Sequence, residues 1–263
     1  MPSSRSSFAP TAAEGSRREQ LAAYFLSAPP IPQQTPAQRE TYFARLREMG
    51  QLETDEILQS AGSTRPLLWG NPVPLMQNLL TAAQQLAAGL GQPLFVFPAK
   101  ETAIDFYAML HPRILSLGLT GLLRAACLAA PHQPVWVRMQ EQERCLTVTV
   151  TAAAPPVAKD SLQLIQESAR LHGGSLALCE SSVAFSIGRA AEIPPGARPY
   201  VCPTAAALLR DSLSAVWTGF YGWLYPSLSS PGSTKPDSSD GVSSSSSSTD
   251  SGSSSAPSGG SCN

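Results

Sequence analysis

The stretch DSLQLIQESARLHGGSLALCE, Asp160 to Glu180, contains the change of period on which the fold turns. Asp160 to Leu171 reads as a helix with Asp160 as a candidate N-cap. His172, Gly173 and Gly174 stop it, because a glycine just past the last turn supplies the left-handed backbone that a helix end favours. SLALCE (Ser175 to Glu180) and VAFSIGR (Val183 to Arg189) then read as two strands.

Working upstream, the period stays at two. PVWVRMQ (Pro134 to Gln140) and CLTVTVT (Cys145 to Thr151) alternate apolar and polar residues around a tight QEQER connection and predict a hairpin, with AAAPPVA (Ala152 to Ala158) as the following loop. Before them, Thr102 to Leu110 and Pro112 to Ala130 read as helices broken at His111-Pro112. PLFVFPA (Pro93 to Ala99) is a short strand bounded by Gly91 and Pro98. Pro36 to Ser60, with Phe43, Leu46, Met49, Leu52 and Ile57, and Pro74 to Leu90, with Leu75, Leu79, Leu80 and Leu86, have helical spacing and together suggest a helical hairpin. The order predicts an α/β sandwich, helices on one face of a mixed β-sheet, preceded by that hairpin.

The 263 residues suffice for one sizeable core or two small ones. Charged residues are only 14% of the chain, against about 25% in an average globular protein, so parts of it are expected not to pack. Five regions follow: a flexible arm over 1–37, the helical hairpin over 38–90, the sandwich over 91–190, a linker and amphipathic aromatic helix over 191–226, and a disordered Ser-rich tail over 227–263. Lys and Arg number 18 against 19 Asp and Glu, a net charge of −1 that creates no field for nucleic acid. Cys127, Cys145, Cys179, Cys202 and Cys262 form no CxxC pair, so neither a zinc site nor a disulfide framework is indicated. With no secretory apolar stretch at the N-terminus and no apolar run near about 18 residues, the expected location is the cytoplasm, with reduced thiols.

Taken with the order of elements, the LHGG of Leu171 to Gly174 and the strand after it resemble the end of the catalytic ATP-binding domain of sensor histidine kinases, over roughly Pro93 to Arg189. The resemblance implies a mixed sheet covered on a single face, and it places Ser161, Leu162, Leu164 and Ile165 on a buried helix face. It also implies a nucleotide site, whose positions can be followed one at a time. The family's NLLxNA box, whose second Asn holds the magnesium bridging the ATP phosphates, corresponds to GLLRAA, Gly121 to Ala126, with Ala125 at the magnesium position. The DxGxG that binds adenine corresponds to AAAPP, with Ala152 for the Asp and Ala154 and Pro156 for the glycines. The GLG phosphate loop corresponds to Lys159, Asp160 and Ser161, and the lid before it to Val157 and Ala158. SAGSTRPL, Ser60 to Leu67, has Ala61 where the phospho-acceptor His would stand.

A methyl group cannot coordinate a hard cation, which takes oxygen ligands. An adenine amino group buried against alanine loses a partner at a cost of about 1–3 kcal/mol. The implied function is therefore a non-catalytic, histidine-kinase-like scaffold or regulator without cofactor, acting on a protein partner such as a kinase or a response regulator. The alternative is an active kinase or ATPase holding ATP and magnesium unusually, through Lys159 and the loop around Gly173 and Gly174.

His172 reads as a polar helix-end residue near the helix dipole rather than a phosphate or metal contact, and His111 and His132 as turn residues. Cys127, Cys145 and Cys179 fall in elements where a thiol is an inert small hydrophobe. Ala205 to Leu228 gathers Leu209, Leu213, Val216, Trp217, Phe220 and Leu224 on one helical face. Either this helix folds back onto the body, or Trp217, Phe220 and Trp223 dock a protein groove or the membrane interface. Helical hairpins often dimerise, so a homodimer is a further expectation.

Overall fold

The computed structural model describes residues 12–60, 68–97, 106–154, 159–192, 195 and 197–229. Alternation builds the centre. β4 (Val135–Glu141) and β5 (Cys145–Thr151) form the expected antiparallel hairpin, with Met139 opposite Val148. Val135, Val137, Met139, Leu146, Val148 and Val150 all point to one buried face. β7 (Ser182–Gly188) continues the sheet beside β5, β6 (Leu176–Leu178) closes one edge, and β2 (Leu94–Phe97) joins parallel to β4 at the other. The result is one five-stranded mixed sheet of order β2-β4-β5-β7-β6.

The buried face is covered by helices. α3 (Pro72–Ala88), α4 (Pro112–Ala129) and α5 (Lys159–Leu171) place Leu75, Leu79, Leu119, Leu122, Ile165 and Ala169 in one core with the inward strand residues. The architecture is an α/β sandwich. Asn71 caps α3, its Oδ1 accepting from the Val73 N–H at 2.8 Å, and Pro72 at the first helical position needs no partner for a missing donor. α4 is the one helix among the described residues long and apolar enough to cross a membrane, and 72% of it is buried inside the fold as the central core helix.

Where α5 ends, the HGG sequence shows its physical use. Gly173 has φ +66°, and the Gly174 and Gly173 N–H groups donate to the carbonyls of Ala169 (2.9 Å) and Arg170 (3.2 Å), the paired bonds of a Schellman stop. A Cβ on Gly174 would lie 1.9 Å from the Ser186 carbonyl oxygen, so the turn rests directly on β7. The next pairing follows at once, the Gly188 N–H donating to the His172 carbonyl at 2.9 Å.

Several expectations are corrected. α1 (Ala12–Ser27) is no loose arm. Leu21 and Phe25 are buried against Tyr42, Phe43 and Leu46 of α2 (Pro36–Ser60), in a cluster whose edge-on aromatic pairs include Phe25 with Tyr42 at 5.2 Å. The helix that pairs with α2 in sequence order is thus α1, whereas α3 sits in the sandwich core, because its apolar face is broad enough to be needed there. Ala108–Leu110, expected at the end of a helix, is strand β3. It pairs antiparallel with β1 (Leu68–Gly70), itself parallel to β8 (Arg198–Pro199), and this small sheet overrides local helical spacing. Thr102 to Asp105 lie outside the described residues, as do Ala61 to Leu67 and the tail from Ser230 onward.

The aromatic segment is also not one helix. α6 (Ala205–Arg210), capped by Thr204, stops at Asp211, whose Oδ1 accepts from the Leu213 N–H at 2.9 Å. A π-helical segment, Val216–Tyr221, and α7 (Gly222–Ser229) follow. This unit is wedged between α2 and α4: added Cβ atoms on Gly50 and Gly219 would come within 2.3 Å of the Thr218 carbonyl oxygen and 2.5 Å of Thr120 Oγ1. The boundary expected at Ser227 shifts as well, since Ser227 belongs to α7 and Leu228 beside it is buried.

Candidate functional site

α4 and α5 run antiparallel. At one end the His111 N–H meets the His172 ring, and near the middle a Cβ on Gly118 would stand 2.9 Å from Ser168 Cβ. Continuing along both helices brings Gly121 and Ala125 toward the start of α5. Ala152, just past β5, is tied down by its N–H donating to the Ser181 carbonyl at 3.1 Å. Four residues, Pro155 to Ala158, separate Ala154 from Lys159, a reach of at most about 18 Å over five steps. The loop end lies within that reach of the start of α5, and the resemblance would set its nucleotide site over these residues.

The described side chains there are small. Ala125 and Ala152 are 4% and 2% exposed, and Ala154 is half-buried. Gly121 is buried, yet beyond its own helix backbone no described atom lies within 4 Å of the position its Cβ would take. The resemblance would require an oxygen donor for a cation at Ala125 and an acceptor for an adenine amino group at Ala152, and a methyl group supplies neither. Lys159 is the first residue of α5, with Asp160 and Ser161 following in its first turn, and Pro156 lies outside the described residues.

Gly173 and Gly174 are not part of this corner. They follow the other end of the 13-residue α5, about 20 Å from Lys159 at 1.5 Å per residue. The site of the alternative reading, Lys159 together with the loop at Gly173 and Gly174, is not assembled; those glycines serve the helix stop and the contact with β7.

His172 is a helix-end residue, but a buried one at 4% exposure. Its Nδ1 hydrogen bonds the Ser168 carbonyl at 2.6 Å, and its Nε2 accepts the His111 N–H at 3.0 Å at the start of α4. That pattern fixes the neutral tautomer with the proton on Nδ1. Burial, reinforced by the charge of a protonated His111, holds the His172 imidazole below its ordinary pKa against the opposing effect of the Ser168 carbonyl; burial likewise lowers His111. Both residues join α4 to α5, and sequence spacing could not signal this because the pair is 61 residues apart. His132 is an exposed turn residue with φ +59°.

Cys127 is an inert thiol, pushed up to about 12 by burial. Cys179, expected in a strand, instead follows β6 and is exposed. Trp217, Phe220 and Trp223 do not stand free of the fold: Trp217 and Trp223 are half-buried against it. Phe220 is fully buried; Trp217 Nε1 donates to the Leu209 carbonyl at 3.0 Å, and Trp223 Nε1 to the Thr218 carbonyl at 3.2 Å. The Arg124 guanidinium, on α4, lies 4.4 Å from the Trp223 ring centroid. The segment folds back onto the body because its rings have partners on α2 and α4 that sequence periodicity does not reveal.

A junction that sequence reading missed lies between the helices. Glu53, 6% exposed, accepts from Arg113 of α4 and, at 3.3 Å, from Arg18 of α1, while Arg113 also donates to the Leu213 carbonyl at 3.0 Å. It ties three helices and the C-terminal unit together.

One mixed sheet with its helices on a single face is the architecture that the LHGG resemblance implies. No family model and no curated protein matches the chain. Among solved structures it is similar to the cytoplasmic segment of histidine kinase QseC, at 16% identity and TM-score 0.43, covering 55% of this chain and 94% of that one. It is also similar to histidine kinase AdeS of Acinetobacter baumannii, at 10% identity and TM-score 0.45, covering 68% and 96%. A histidine kinase from Burkholderia phymatum is similar at 17% identity and TM-score 0.38, covering 68% and 99%.

Proposed function

We propose that this chain is a histidine-kinase-like protein that has kept the sandwich and lost nucleotide chemistry, and that it acts in cytoplasmic signalling as a non-catalytic regulator of a protein partner. The observation that carries this reading is the buried Ala125 and Ala152 at the positions where the resemblance demands a magnesium ligand and an adenine acceptor. The partner class is a kinase or a response regulator. Its docking surface lies elsewhere than Trp217, Phe220 and Trp223, which the fold has used internally.

The test is thermal unfolding with and without magnesium and ATP. A ligand that binds only the folded state stabilises it by about 2.7 kcal/mol at a hundred times its dissociation constant, so binding is visible as a rise of several degrees. No rise is expected at millimolar ATP. A clear rise overturns the reading, and its disappearance in Lys159→Ala would assign the nucleotide to an unusual site at the start of α5.

A further inference from the structure

The sheet has a second face, opposite the helices. Strand register lays two rows across it: Phe95, Trp136 and Thr151 in one, and Phe97, Arg138 and Thr149 in the next. Three rings are left in solvent, with Phe95, Phe97 and Trp136 at 47%, 46% and 40% exposure, and the Phe95 and Trp136 planes lie within 22° of parallel. Between the rows is a groove of about 400 Å³ lined by Phe97, Trp136, Arg138, Gln140, Thr149 and Thr151. That size is in the range of small-molecule sites, which combine apolar walls with a few converging polar groups.

Charge narrows the occupant. Arg138 is the one charged residue at the outward positions of β2, β4, β5 and β7. Among the described residues no carboxylate pairs with it, and its guanidinium stands 5.9 Å from the Phe97 ring centroid. The side chains of Gln140, Thr149 and Thr151 likewise have no hydrogen-bond partner among the described residues. A cation held beside exposed aromatic rings is complementary to an anion carried on a flat ring, which stacks on the rings while its charge meets the guanidinium. A single cation does not suit a polyanionic nucleic acid strand, which needs one for each phosphate neutralised. A second copy seated on this face would bring its own Arg138 with no acidic residue opposite.

We propose that this groove binds a small planar aromatic carboxylate, with its ring on Phe97 and Trp136 and its carboxylate on Arg138. The amide of Gln140 and the hydroxyls of Thr149 and Thr151 complete the polar side of the site. Trp136 and Arg138 are exposed on the sheet surface, so replacing them leaves the core intact.

The probe is 2-naphthoate, followed on the full chain by calorimetry and by the indole N–H signals of a ¹⁵N-labelled sample, with 2-naphthylmethanol as the uncharged control. The expected result is saturable binding that moves the Trp136 indole signal and leaves those of Trp217 and Trp223 in place. Naphthylmethanol and the Arg138→Gln variant should each bind at least about tenfold more weakly, since a charge-assisted contact is lost, with Trp136→Ala losing binding and both variants still unfolding in one cooperative transition. Absence of saturable binding, equal affinity for acid and alcohol, or binding indifferent to Arg138→Gln overturns the proposal. So does preferential binding of a single-stranded oligonucleotide, or self-association abolished by Trp136→Ala.

Discussion

Replacing His172 by Ala removes a side chain that holds two helices at once. The variant loses the Nδ1 hydrogen bond to the Ser168 carbonyl (2.6 Å) and the Nε2 acceptor of the His111 N–H (3.0 Å). The Ser168 carbonyl keeps the His172 backbone N–H at 3.2 Å, so the group left without its partner is the His111 N–H. One bond at about 0.5–1.5 kcal/mol, and about 1–3 kcal/mol for the second because it leaves a donor orphaned, give an expected loss of about 1.5–4.5 kcal/mol. Denaturant unfolding measures it as a lower midpoint at unchanged slope. The pH dependence carries a second signature. Both imidazoles are held below their ordinary pKa chiefly by burial, so the unfolded chain takes up protons first as the solution is acidified. The wild type should keep this stability above about pH 6.5 and lose it as pH falls from there through the lower folded values, because an imidazolium would turn two donors toward one another at Nε2. His172→Ala should flatten that part of the profile. A loss below about 0.5 kcal/mol, or an unchanged pH profile, refutes the linking role assigned to this residue.

Two glycines should respond oppositely to alanine. Gly174→Ala drives a Cβ to 1.9 Å from the Ser186 carbonyl and should cost more than about 2 kcal/mol, whereas Gly121→Ala meets no described atom beyond its own helix backbone and should be neutral or gain up to about 1 kcal/mol of helix propensity, both read by denaturant unfolding. Glu53→Gln leaves Arg113 and Arg18 without their carboxylate; because both cations reach solvent, the expected loss is about 1–3 kcal/mol, below that of a fully buried pair, and thermal unfolding at neutral pH checks it. Phe220→Ala empties a fully buried site and should cost about 3–5 kcal/mol, while Trp136→Ala, which loses only a half-exposed cross-strand pair, should cost about 0.5–1.5 kcal/mol, both again read by denaturant unfolding.

The strands of the hairpin and the stop after α5 were legible because each is written locally. Alternation in Val135 to Glu141 and Cys145 to Thr151 fixes which side chains are buried, and Gly173 is the residue that reaches the left-handed region at least cost. That Ala125 and Ala152 carry no oxygen can be read for the same reason, since the chemistry a methyl group lacks does not depend on its surroundings. Ala108 to Leu110 could not be read this way. Its helical spacing is outweighed by pairing with Leu68 to Gly70, about 40 residues away, and neither partner signals the other.

Sequence alone determined the alternation of the hairpin strands and the position of the helix stop after α5. Tertiary structure decided which helix pairs with α2, where the aromatic rings of the C-terminal unit are buried, and that the glycines after α5 serve packing against β7. The division follows from the forces involved: period and capping act over a few residues of backbone, whereas burial, helix pairing and close approach depend on which distant surfaces are available to exclude water together.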